Sequence, residues 1–325
     1  MLITADEIRI AIQRTKSDQA NKVFWEHPCA FSLVDQLGKN WTDWFSLLID
    51  SNRYSPGISD KFSVPKSQLA TRPGVLMSPE DQVFYGVIAL KFLPLISSAI
   101  GWSDFGLRYS YRPAATGNKW FKGAFIGWKK FDEHSLTQLD NHKYCLFTDI
   151  SAYYENIDIK RIARELAAGS LDRNCCGKLT TMLERLSGGR GRGIPQAFSP
   201  SNLLGEYFLN PIDQQLKAEN FVHYRFVDDM RFFVDSKSEA RAASRLLEKL
   251  LRNRGLNLQS AKTKLLKRSE AREEISRVQN TLRSIGEQLA TEIASESDYI
   301  SPDELKERFS SDPKLPAPAV LLKAW

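Results

Sequence analysis

Apolar residues recur at helical spacing through most of the first 50 positions, with aromatics at Phe24, Trp25, Trp41, Trp44 and Phe45. That period predicts a mostly helical front, which SNRYSPGISD (51–60) breaks with a loop. VFYGVIALKFLPLISSAIGW (83–102) is apolar nearly throughout. It approaches bilayer-spanning length, but Lys91 and Pro94 interrupt its middle, so it reads as a buried core helix. KYCLFTDI (143–150) has the enrichment of a buried strand and ends in an acid. IDIKRIARELAA (157–168) is amphipathic at helical period, with Asp158 placed to cap it. Further helices are predicted over 178–187, over 199–216 with Leu203, Leu204, Tyr207 and Phe208 on one face, and over 236–255 with Gly255 as the stop. HYRF and RFFV flank Val227-Asp228-Asp229 as the arms of a hairpin, and LNLQSAKTKLLK (256–267) reads as strand, turn and strand. Helices alternating with strands in this way build an α+β layer of sheet and helices.

Beyond residue 268 the pattern changes. Ile275, Val278, Leu282, Ile285 and Leu289 form a narrow stripe at steps of three and four, which predicts one long helix that packs on the body or pairs with a second copy. Ser301, Pro302 and Glu304 make a capping box for a short helix, and DPKLPAPAV has the composition of a linker.

Composition narrows the class. With 325 residues, 42% hydrophobic and 26% charged, the chain suits a globular protein of two or three subdomains and not a wholly disordered one. Its four cysteines, Cys29, Cys145, Cys175 and Cys176, form no CxxC pair, and with four histidines they lack the spacing of a structural zinc site. The N-terminal MLITADEIRIAIQRTK carries acids at helical period, unlike a secretory signal. The expected setting is the reduced cytoplasm, away from membranes.

A net charge of +6 leans toward anionic partners, and its distribution says more than its total. From 106 to 130 there are six basic residues (Arg108, Arg112, Lys119, Lys122, Lys129, Lys130), six aromatics and no acid. Such a mixture suits phosphate contacts beside stacked bases, or equally a solvated basic face over an aromatic mini-core. SGGRGRG (187–193) is a basic glycine loop, and 241–268 sets nine Lys or Arg against Glu248 alone.

The candidate chemistry lies in the carboxylates. Asp228 and Asp229 place two like charges in an apolar hairpin. Turn chemistry is one explanation; the other is a bound cation that offsets their repulsion. Mg²⁺ prefers oxygen ligands at roughly 2.0–2.1 Å and keeps waters or substrate phosphates in its shell. Asp149 becomes a third ligand if its strand lies beside the hairpin. Three aspartates could then hold two ions about 3.5–4 Å apart, the arrangement of in-line phosphoryl transfer.

At these residues the chain resembles a reverse transcriptase of the right-hand polymerase class. FTDISAYYENI (147–157) resembles the first palm motif, GIPQAFSPSNLLGEYFLNPID (193–213) the second, FVDD (226–229) the catalytic hairpin and LNLQSAKTKL (256–265) the lysine motif. YSYRPA (109–114) resembles an element of the fingers. The resemblance covers roughly residues 81–268. It implies a ferredoxin-like palm with fingers, preceded by a helical region (1–80) and followed by a helical, thumb-like region with a proline-rich end (269–325). It also implies two Mg²⁺ or Mn²⁺ ions, deoxynucleotide substrates, an RNA strand and a DNA product.

Residue by residue, the resemblance makes Asp149 and Asp228 the principal metal ligands and catalytic residues. Asp229 completes the cluster, and the Ile150 carbonyl adds a ligand. Tyr154, five residues after Asp149, lies where the family places an aromatic ring that excludes a ribose 2′-hydroxyl. Gln196 touches nucleotide or template near the sugar, although Ala197 stands where the family commonly has glycine. Lys262 faces the triphosphate and protonates the leaving pyrophosphate; Lys66 and Arg72 are further triphosphate candidates. Arg112 supports the fingers or the template strand, and Lys119, Lys122, Arg190 and Arg192 are nucleic-acid contacts.

The wording DISAYYENID, the helical front and the helix after the lysine motif look most like bacterial reverse transcriptases of abortive infection and phage defence. Their relatives often work with a noncoding RNA or a second protein. After Arg268 the sequence has no primer-grip turn, ribonuclease H acid set, maturase or zinc-finger endonuclease signature. Two alternatives stand beside this reading: an RNA-templated enzyme of retron or group II intron type, and a catalytically silent RNA-binding scaffold. The intact aspartates count against the scaffold.

Overall fold

The computed structural model describes residues 3–19, 31–57, 59–65, 70–102, 106–114, 117–169 and 172–277. The front holds α1 (Ala5–Gln19), α2 (Ser32–Leu37) and α3 (Lys39–Asp50), followed by a two-stranded hairpin, β1 (Asp60–Pro65) and β2 (Thr71–Leu76). The hairpin corrects the expectation of a helical region running to residue 80. Its strands are short, and prolines obscure their alternation, so no period announced them.

Next comes α4 (Pro79–Ile100), entered through Ser78, whose hydroxyl accepts from the Asp81 amide, and ended by Gly101 in the left-handed conformation. Val83, Phe84, Tyr85, Val87 and Ile88 are all buried against surrounding helices, as expected of a core helix. By length and composition alone α4 could cross a membrane. Instead it packs against α1 and against α8 and α9, defined below. Pro94 lies inside it without ending it.

The remainder runs α5 (Ala124–Asn141), β3 (Tyr144–Asp149), α6 (Tyr153–Asn156), α7 (Ile159–Gly169), α8 (Arg173–Ser187), α9 (Ser199–Ala218), β4 (His223–Phe226), β5 (Asp229–Val234), α10 (Lys237–Arg252) and β6 (Lys264–Lys267). Residues 268–277 are helical. Asp158 Oδ1 accepts from the Arg161 amide at 2.7 Å, the cap expected for α7. The strand expected at the start of 256–267 is reduced to a single bridge from Leu258 to Ile150. A 3₁₀ turn, Ser260–Lys262, then leads into β6.

The four strands form an antiparallel sheet in the order β4-β5-β3-β6. Alternation along β5 divides its two faces. Met230, Phe232 and Val234 enter the large core with α9 and α10, whereas Phe233 joins Leu139, Cys145, Ala271 and Ile275 on the other face. Ile275 therefore packs on the body. The rest of its stripe, the 301–304 capping box and the proline-rich end lie outside the described residues, as does Lys66. Cys145, Cys175 and Cys176 are buried free thiols, and burial pushes Cys145 and Cys175 up to about 12, which keeps them protonated and unreactive.

Candidate active site

Asp149 is the last residue of β3, and its Cα pairs directly with that of Asp229, the first residue of β5. Phe226 pairs with Asp229 to close the β4–β5 hairpin, which leaves Val227 and Asp228 as a two-residue turn. Three acids far apart in sequence thus share one end of two adjacent strands. Asp149 is buried, while Asp228 and Asp229 are half-buried.

The segment after α10 completes the site. Gln259 donates its amide to the Asp149 carbonyl (2.8 Å), and Ser151 donates to Asn257 O (2.8 Å). These bonds use the backbone groups on either side of Ile150 and not its own carbonyl. The 3₁₀ turn then carries Lys262 inward, and its Nζ donates to Asp149 Oδ2 at 2.7 Å. Partial burial works against the Lys262 charge. The Asp149 hydrogen bond and the charges of Asp149, Asp229 and Asp228 outweigh it and hold the ammonium above the usual lysine range.

The fields of all three carboxylates therefore meet where a cation already sits. Among the described residues no three His, Cys, Asp or Glu side chains come together closely enough to hold a metal ion unaided. By donor type and charge the acids nonetheless fit a hard divalent cation, which would compete with Lys262 for Asp149.

Around this centre the predicted residues fall into distinct places. Tyr154 is nearly buried beside Tyr153 (centroids 5.1 Å apart), and its hydroxyl donates to Asn202 Oδ1 at 2.7 Å, which fixes the ring. Tyr111 lies within hydrogen-bond reach of Tyr154 and within the field of Asp228. The second-motif loop is held by Ile194, whose amide donates to Tyr154 O (2.9 Å). Gln196 Oε1 is buried there with no hydrogen-bond partner among the described residues. Ala197 adopts φ +64°, the left-handed conformation that makes glycine the common residue at this point.

The basic residues divide unexpectedly. Arg108 turns inward, its Nε donating to Asp213 Oδ2 (2.7 Å) and its Nη2 to Asn210 Oδ1 (2.7 Å). Arg112 is 8% exposed, and its carbonyl accepts from the Lys122 amide. Lys129 and Lys130 turn to Glu133. Lys119 and Lys122 instead line a groove of about 830 Å³ with Gln13, Lys16 and Ser17 of α1. Arg190 and Arg192 are exposed on the glycine loop, and Arg72 is half-buried on β2 opposite Val64.

Sequence reasoning missed Asn202, the Tyr111–Tyr154 contact and the buried charges behind the hairpin. There, fully buried Arg225 meets Asp213 and Glu206, each at 2.8 Å. Burial alone would raise the Asp213 carboxyl, but Arg225, His223 and Arg108 beside it hold it well below the carboxylate range. The available signal was polar interruption of apolar elements: Arg225 in a hairpin arm, and Glu206 and Asp213 in α9.

A four-stranded antiparallel sheet with acids at adjacent strand ends, backed by helices and preceded by a mostly helical front, has the make-up of a polymerase-type palm with fingers. The sequence profile of the family described as reverse transcriptase (RNA-dependent DNA polymerase) matches residues 107–288, and the chain belongs to that family. No curated protein matches it in sequence. Among solved structures, telomerase from Candida tropicalis in complex with a TWJ fragment of telomeric RNA is similar, with 13% identity and a TM-score of 0.48. The match covers 70% of this chain and 44% of that one, so the chain spans less than half the length of this relative.

Proposed function

We propose that the protein is an RNA-directed DNA polymerase that adds deoxynucleotides by a metal-assisted in-line transfer. The observation that carries this reading is the Asp149–Asp229 pair across β3 and β5, with Asp228 in the turn and Lys262 drawn onto Asp149. Reverse transcriptase domains generally use two divalent ions; held by Asp149, Asp228, Asp229 and the Ile150 carbonyl, Mg²⁺ or Mn²⁺ would activate the attacking hydroxyl and stabilise the leaving oxygen. Lys262, released from Asp149, neutralises the triphosphate and gives a proton to pyrophosphate. Gln196 offers its side-chain oxygen, which has no partner among the described residues, to nucleotide or template, and Arg72 reaches for the triphosphate. The anchored Tyr154 ring excludes a 2′-hydroxyl. Lys119, Lys122, Arg190 and Arg192 contact nucleic-acid phosphates, and Arg112 braces the fingers beneath them.

Purified protein with Mg²⁺ or Mn²⁺ should polymerise labelled deoxynucleotides, but not ribonucleotides, in the presence of RNA. Failure with every nucleotide and RNA tested would leave the scaffold reading in its place. Tyr154→Ala should admit ribonucleotides, reading out as a fall of at least about tenfold in sugar discrimination; unchanged discrimination would remove Tyr154 from the gate.

The reading extends to phage defence in the bacterial cytoplasm, with a noncoding RNA, a partner protein or a second copy. It rests on the DISAYYENID wording and the helical front. Cells expressing the wild type should resist phage that plate normally on cells expressing Asp228→Asn. Equal plating on both would sink the defence role.

A further inference from the structure

The turn that carries Asp228 is made by a residue unsuited to it. Val227 has φ +56° at the first central position of a two-residue hairpin turn, a place where glycine is ordinarily favoured. A β-branched side chain in that region is a conformational outlier and relaxes unless its surroundings hold it. Val227 is 4% exposed, so water cannot do the holding.

Both polar groups of its backbone are gripped by side chains, one from a distant segment and one from the hairpin's own first arm. The Val227 amide donates to Ser110 Oγ at 2.9 Å, and the Val227 carbonyl accepts from Arg225 Nη1 at 2.9 Å. The two gripping groups meet on one carboxylate. Ser110 Oγ donates to Glu206 Oε1, and Arg225 Nη2 donates to Glu206 Oε2 at 2.8 Å. The result is a closed ring: Val227 amide, Ser110, Glu206, Arg225, Val227 carbonyl. Ser110, Glu206 and Arg225 are each no more than 2% exposed.

The fold places the ring's members from three separate elements. Residues 107–109 run beside β4, with the Tyr109 amide donating to Arg225 O (3.0 Å) and the Arg225 amide to Leu107 O (2.9 Å). This sets Ser110 over the turn. Gly127 in α5 permits that approach, since a Cβ there would lie 2.2 Å from Tyr109 O. Asp213 holds the Nε side of Arg225 from α9, which aims the guanidinium at Val227 O.

We propose that Ser110 and Arg225, tied through Glu206, are positioning residues that clamp the strained Val227 backbone and thereby set where the Asp228 and Asp229 carboxylates point. None of the three touches the reacting atoms. The catalytic consequence of the clamp rests on the polymerase reading, but the clamp itself is a property of the hairpin. Through it the serine of the YSYRPA element joins the fingers to the catalytic turn.

The test is a cycle of Ser110→Ala and Val227→Gly. Glycine adopts positive φ without a clamp, so the two changes should not be independent. Ser110→Ala alone should lower the incorporation rate on the order of 10- to 100-fold, with a raised Mg²⁺ requirement, and should speed amide hydrogen exchange at the 224–234 hairpin. In the Val227→Gly background the same substitution should cost less than about threefold. An equal loss in both backgrounds would reduce Ser110 to ordinary packing and overturn the clamp, as would no loss in either. Hydrogen exchange separates this outcome from failure of the polymerase reading. In a protein without polymerase activity, unchanged hairpin exchange in Ser110→Ala rejects the clamp, and faster exchange that Val227→Gly suppresses supports it.

Discussion

Asp149→Asn is expected to leave the fold intact and to slow deoxynucleotide incorporation by about a thousandfold or more. Asparagine preserves the side chain's volume and the pairing of position 149 with Asp229, so β3 and β5 should keep their register. It removes one of the three charges that concentrate cations at this end of the sheet. Metal-assisted stabilisation of a transferring phosphoryl group contributes several kcal/mol, and about 4 kcal/mol corresponds to a thousandfold in rate. The substitution also removes the anion to which Lys262 donates at 2.7 Å. Because the Lys262 pKa is raised in the folded protein, its pairing is fully present below the ordinary lysine value and lost only as pH rises through the higher folded one. The pair is thus intact at neutral pH, and Lys262 in the variant should titrate at lower pH than in the wild type. Single-turnover incorporation, with thermal unfolding as a control on the fold, tests the prediction. Incorporation within a few-fold of wild type by a well-folded variant would refute the assignment of Asp149.

The largest stability effect is expected at Asp213. It is 1% exposed and receives Arg108 and Arg225 from two different segments. Asp213→Ala would leave two guanidinium groups in the core without their principal counter-ion. Breaking a buried pair in this way costs about 3–5 kcal/mol, a fall on the order of 10 °C in Tm for a protein of this size class. Its pH signature has a definite sign. A depressed carboxyl pKa stabilises the fold above the unfolded value of about 3.9, and the contribution is lost as pH falls through the folded value. The wild type should therefore lose stability in acid more steeply than Asp213→Ala. Denaturant unfolding at neutral and acid pH measures both effects. A neutral-pH loss below about 1 kcal/mol would show that the two arginines find other partners or water.

Much of the architecture was legible because it is local. KYCLFTD carries the apolar enrichment of a buried strand, and it becomes β3 ending at Asp149. The hairpin around Asp228 forms with its turn at Val227-Asp228, since two short arms rich in aromatic residues flank the acids, although Val227 itself is a poor turn residue. The same holds for α9, whose apolar face was visible from 199 to 216. The β1–β2 hairpin and the single bridge at Leu258 were not legible. Their pairing energy comes from partners the local pattern does not name, and short strands carry too few residues to establish a period.

Charge was the least legible property. Arg108, Arg112, Lys119, Lys122, Lys129 and Lys130 form one uniform basic stretch in sequence. In the folded protein Arg108 binds a buried aspartate, Arg112 is internal, the last two lysines pair with Glu133, and Lys119 and Lys122 face a groove with α1.

By itself the sequence determined the chemistry available: three aspartates, a lysine and an aromatic, carried by short runs of consecutive residues. Only the tertiary structure decided how they act on one another. It set Asp149 against Asp229, brought Lys262 onto Asp149 across 113 residues of chain, and closed Ser110, Glu206 and Arg225 around Val227. The physical reason is that hydrophobic period specifies which side of an element is buried, whereas hydrogen bonds and ion pairs depend on which distant element is buried against it.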